Sequence, residues 1–109
     1  MDPHRLAELR SLALHRRIAW AIADDETIVP RAEARIAAWR ASGSLHPHYA
    51  QAWLRLLRGP RPELLGVLVD EGETGRSLRQ ASPFSFVVPP RERWRLWRDV
   101  RARWESAPS

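Results

Sequence analysis

Leu12-Ala13-Leu14-His15-Arg16-Arg17-Ile18-Ala19-Trp20-Ala21-Ile22-Ala23 is the stretch that decides the fold. Leu14, Ile18 and Ile22 recur every four residues with Ala21 beside them, so a helix gathers them into one stripe that faces a core. Arg16, Arg17 and Trp20 fall on the opposite side. Upstream, Asp2 is placed to cap this helix and Pro3 to occupy its first position, the one helical site where a missing N–H costs nothing. Leu6, Leu9 and Ala13 form a separate stripe. The helix is therefore either buried on two sides or kinked near Ser11.

The same period continues outward. Ile28, Ala32, Ile36 and Trp39 follow at spacings of four, four and three, with Pro30 blurring the start and Gly43 suited to a left-handed stop. Pro47 opens a third helix carrying Tyr49, Trp53, Leu56 and Leu57, and Gly59-Pro60 ends it. Short helices are predicted at about 62–69 and 74–80. Ser82-Pro83-Phe84-Ser85-Phe86-Val87-Val88-Pro89-Pro90 breaks the pattern: prolines bracket it and β-branched and aromatic residues fill it, which predicts extended chain. It reads either as a strap that buries Phe84 and Phe86 or as a docking strand for a partner. Pro90 begins a last helix with Leu96, Trp97, Val100 and Trp104 on one side. The expectation is an all-α, compact bundle of five to six helices with one extended segment at about 82–90, a single domain over 1–109.

Composition narrows the function. With 44% hydrophobic and 28% charged residues, the chain has the balance of a globular domain rather than of a disordered one. It has no cysteine, which excludes disulfides, zinc–thiolate sites and thiol nucleophiles. The longest apolar run, Ile18 to Ala23, is too short to span a bilayer. Met1-Asp2-Pro3-His4 lacks a basic flank leading into an apolar stretch, so a cytoplasmic location and no membrane partner are expected. All 18 basic residues are arginine, against 13 acids, for a formal charge of +5. Along the chain the signs look mixed: residues 1–58 hold nine arginines and six acids, residues 59–109 nine and seven. Nucleic-acid binding is permitted but not demanded, because a phosphate-binding face usually gathers its charge.

No catalytic constellation stands out, and no enzyme activity, cofactor or metal site is expected. His46-Pro47-His48 has the wrong spacing for two ligands on one helix face and reads as a helix-opening loop. His15, beside the Ile18 stripe, reads as a hydrogen-bonded core histidine. The serines sit in turns or caps and the glycines form no phosphate cradle. Residues 36–53 fit a helix-turn-helix poorly, with Trp39 where a small residue is wanted and Pro47 at the start of the recognition helix. The last helix interleaves Arg91, Arg93, Arg95, Arg98, Arg101 and Arg103 with Trp94, Trp97 and Trp104. Spacing predicts that Glu92–Arg95 and Asp99–Arg103 pair along it, removing part of its charge. For a protein partner the expected contacts are Phe84, Phe86, Trp94, Arg95 and Arg98, since Trp and Arg are enriched at binding hot spots. For nucleic acid they are Arg16, Arg17, Arg91, Arg95 and Arg98.

Several blocks together carry a family resemblance: Leu12 to Ala19, Ala34-Arg35 with Trp39, His46-Pro47 with Tyr49 and Trp53, Leu57-Arg58-Gly59-Pro60, Leu78-Arg79-Gln80-Ala81-Ser82-Pro83-Phe84 and Arg91-Glu92-Arg93-Trp94. As a set, spanning about residues 12–98, they resemble a group of short bacterial proteins associated with toxin–antitoxin loci. The chain departs from that pattern at Asp25 and at Ser85-Phe86. The resemblance implies an antitoxin-like or regulatory binding protein and brings no catalytic residues; a toxin is the expected protein partner.

Overall fold

The computed structural model describes residues 2–106. Six α-helices succeed one another: α1 (Pro3–Asp24), α2 (Ile28–Ser42), α3 (Pro47–Arg58), α4 (Arg61–Leu68), α5 (Glu73–Gln80) and α6 (Pro90–Ser106), with a 3₁₀ turn at Ser85–Val87. No strand occurs among the described residues, and the fold is the all-α bundle that the periodicity predicts. No described helix is long and apolar enough to cross a membrane.

Local chemistry sets the ends. Asp2 accepts a hydrogen bond from the His4 N–H at 2.9 Å, and Pro3 opens α1. Gly43 stops α2 at φ 75°, where any other residue would be strained. The His46 ring caps α3, its Nδ1 accepting from the His48 N–H at 3.1 Å, so that pair opens a helix as the spacing suggests. The Asp70 carboxylate accepts from the Gly72 and Gly75 N–H groups at 3.1 and 3.0 Å and so anchors the first turn of α5.

The long first helix is unbroken and resolves the question of its two stripes: it packs against α6 on one side and against α4 and α5 on the other. Ile18 and Ile22 enter the main core with Ile36 of α2, Trp53 of α3 and Leu64 and Leu68 of α4. Leu9 and Ala13 turn instead toward Val100 and Trp104 of α6.

The 82–90 segment corrects the expectation of extended chain. The Val87 N–H donates to the Phe84 carbonyl at 3.0 Å and closes the 3₁₀ turn. A strand would carry the chain about 13 Å over four residues. The turn shortens that span, and Phe84 and Val88 both enter the one core. Phe84 is fully buried, edge-on to Trp53 with ring centroids 5.7 Å apart, and Pro83 beside it is also buried. The segment straps the bundle through Phe84, whereas Phe86, which the strap reading also places in the core, is only half-buried.

Candidate interaction face and polar cleft

Helix α6 is held on one side only. None of its residues is buried, and Leu96, Trp97, Val100 and Trp104 are half-exposed even where they meet α1. The two helices run antiparallel. Arg17 Nε donates to Glu92 Oε1 at 2.7 Å near one end, and the Arg10 guanidinium lies 5.9 Å from the Trp97 ring centroid further along. Beyond that, Leu9, Ala13, Val100 and Trp104 border a shallow groove of about 240 Å³, with Arg16 and Arg103 at its rim.

Charge follows the same pair. Together α1 and α6 carry ten arginines and five carboxylates, whereas the rest of the chain carries eight of each. The entire formal excess of +5 therefore lies on one helix pair. Dividing the sequence at its midpoint hides this, because α1 and α6 sit at opposite ends of the chain and only the fold unites them. The expected pairing within α6 is also corrected. Glu92 is taken across the interface by Arg17, Arg101 pairs with Glu105 at 3.0 Å, and Asp99 makes no ion pair among the described residues. Arg95 and Arg103 are thereby left without an acidic partner among the described residues, as are Arg16, Arg91 and Arg98.

Two tryptophans stand out from this surface. Trp20 is 66% and Trp94 58% exposed, and each has a guanidinium over its ring: Arg17 at 5.1 Å from Trp20 and Arg98 at 4.6 Å from Trp94. Of the residues expected to meet a protein partner, Trp94, Arg95 and Arg98 lie on the outer surface of α6. Phe86 is half-buried beneath Arg31, 4.3 Å from its ring centroid. Phe84 is withdrawn from that set: it lies inside the core and offers no surface. Arg16, Arg91, Arg95 and Arg98 are exposed; Arg17 is half-buried in its bridge to Glu92.

On the inner side of α1 is a polar cluster. His15 is 2% exposed. Its Nδ1–H donates to the Ser11 carbonyl at 2.7 Å, and its Nε2 accepts from the Ser82 hydroxyl at 2.8 Å. Ser82 Oγ in turn accepts from the Phe84 N–H at 3.3 Å. The chain of bonds ties α1 to the strap. Burial lowers the His15 pKa from 6.5 to about 4, with the nearby Arg79 charge acting in the same sense and the Ser11 carbonyl opposing. Ser82 and His15 have the spacing of a nucleophile and its base. Yet a backbone carbonyl, not a carboxylate, orients the ring, and a base with a pKa of about 4 takes a serine proton poorly near neutrality.

Arg79 is 4% exposed, and sequence reading did not single it out. Its Nη1 faces the carbonyl oxygens of Val67, Leu68 and Asp70, closing the C-terminal end of α4 in place of a glycine cap. Nε and Nη2 have no hydrogen-bond partner among the described residues. Burial lowers its pKa, opposed by the Glu8 and Asp70 carboxylates. The only hint in the sequence is indirect: Val69 and Asp70, which follow α4, leave it without a glycine to cap its end.

A scan against protein-family models found no match, and searches of curated proteins and of solved structures found none either.

Proposed function

We propose that this is a non-catalytic binding protein, antitoxin-like in class, that acts by docking the outer face of α1 and α6 onto an acidic protein partner. One observation carries the reading: the whole charge excess and the two most exposed tryptophans share a helix pair whose outer member has no buried residue. Such a face joins aromatic anchors to arginines, the residue types richest at binding hot spots, and its sign suits a carboxylate-bearing partner. The family resemblance carried by blocks such as Leu78 to Phe84 suggests a toxin as that partner. The commitment of both His15 nitrogens to Ser11 and Ser82 supports a non-catalytic role.

The concentration of charge also favours a second reading, a nucleic-acid-binding regulator using Arg16, Arg17, Arg91, Arg95 and Arg98. It is the weaker one. One face of each of the Trp20 and Trp94 rings already carries a guanidinium, Arg17 or Arg98, which leaves a base a single face of each on which to stack. Purification of the tagged protein from its host, with and without nuclease, separates the two. A stoichiometric acidic protein that survives nuclease is the expected result. Nucleic acid that vanishes with nuclease and leaves bare protein, together with a steep salt dependence of binding, would favour the regulator.

A further inference from the structure

The seam between α1 and α6 is open at one place. Leu9, Leu12 and Ala13 of α1 and Val100 and Trp104 of α6 line the groove of about 240 Å³ there. Leu12 is buried, but Leu9, Ala13, Val100 and Trp104 stay half-exposed, so water still reaches the apolar lining. No carboxylate lines the groove. Its charged residues are Arg16 and Arg103, both exposed and neither in an ion pair among the described residues. An apolar floor with two free cations beside it limits what can sit there. The volume falls below the roughly 300–1,000 Å³ of pockets that enclose a small molecule, and suits a single side chain of a larger body. A nucleotide base would meet aliphatic side chains where its polar edge needs hydrogen-bond partners. A second copy of the chain would set one basic helix pair against another, since this pair carries the whole formal excess of +5.

We infer that the groove seats one large apolar side chain, a leucine or an aromatic ring, from an acidic helix of a partner protein. That helix lies along the α1–α6 seam and sets its carboxylates against Arg16 and Arg103. Two antiparallel helices offer a third helix a natural groove. Burial of the anchor supplies affinity, while the guanidinium forks select carboxylates. This rests on the reading of α1 and α6 as a docking face, and adds what the partner presents to it.

A labelled helical peptide of about 18 residues, with leucines along one face and glutamates on the others, is titrated into the full-length protein by fluorescence anisotropy. It should saturate, whereas a peptide with glutamine for each leucine, or with lysine for each glutamate, should not. Ala13→Phe, which fills the groove, should weaken the leucine peptide about tenfold or more. The double variant Arg16→Gln, Arg103→Gln should weaken it about fivefold. It alters only exposed side chains, so the melting temperature should hold, and it decides the matter if Ala13→Phe proves unstable. No saturation by the leucine peptide, equal binding of the glutamine peptide, or wild-type affinity in the double variant would overturn the inference. The two readings fail differently. A host partner that responds to Arg95→Glu, Arg98→Glu but not to Ala13→Phe overturns the groove alone, while the lack of any protein partner overturns the docking face.

Discussion

Phe84→Ala is expected to remove about 3–5 kcal/mol of stability, the usual cost of truncating a fully buried phenylalanine. Small domains hold only about 5–15 kcal/mol in all, so the variant should be largely unfolded in modest urea. The reason is positional. Phe84 is 0% exposed and meets Trp53 edge to face, at the junction where the strap crosses onto α3. Phe86→Ala serves as the comparison. Its ring is half-exposed under Arg31, and its loss should cost about 1 kcal/mol or less. Urea titration followed by far-UV circular dichroism measures both. Equal, small effects would mean that the strap does not belong to the core.

The second large effect is on pH. His15 is neutral in the fold with a pKa of about 4, against 6.5 when unfolded. The unfolded chain thus binds the extra proton first, and stability is intact above about pH 6.5 and lost as the pH falls toward 4. At about 1.4 kcal/mol per unit of pKa, the loss between pH 7.5 and pH 5 comes to about 2 kcal/mol. Protonation also puts a hydrogen on Nε2, where the Ser82 hydroxyl now donates, so the bond that holds the strap to α1 must reverse or break. A His15→Gln variant is less stable at neutral pH but loses this dependence. Denaturation midpoints at pH 7.5 and pH 5 check the claim: the wild type should fall by much more than the variant. Parallel slopes would show that His15 does not titrate as its burial requires.

Most of the helical framework was legible in the chain because it is written locally. Spacings of three and four placed Ile18, Ile22, Ala32, Ile36 and Trp53, all of which are buried, and Pro3, Gly43 and Pro47 marked ends where the structure has them. His15 and the His46-Pro47-His48 loop were likewise readable from residue type and spacing. Properties that depend on distant segments were not. The strap turns at Ser85–Val87 because Phe84 and Val88 must reach one core, which no local preference states. Glu92 bonds Arg17, 75 residues away, rather than its neighbour Arg95. The basic face exists only because the first and last helices pack together, and Arg79 is buried only because α4 ends near it in space.

The central claim is that α6, with α1 behind it, is the docking face, and one measurement reaches it directly. The affinity of the purified protein for the partner recovered from its host is compared with that of an Arg95→Glu, Arg98→Glu double variant, alongside the melting temperatures of both. Arg95 and Arg98 are exposed, and neither makes an ion pair among the described residues. Their reversal removes only the surface contact of Arg98 with the Trp94 ring and adds exposed like charges beside Glu92 and Asp99, so the melting temperature should fall by no more than a few degrees while the complex weakens about a hundredfold or more. An affinity equal to that of the wild type would contradict the assignment and place the contact elsewhere on the molecule.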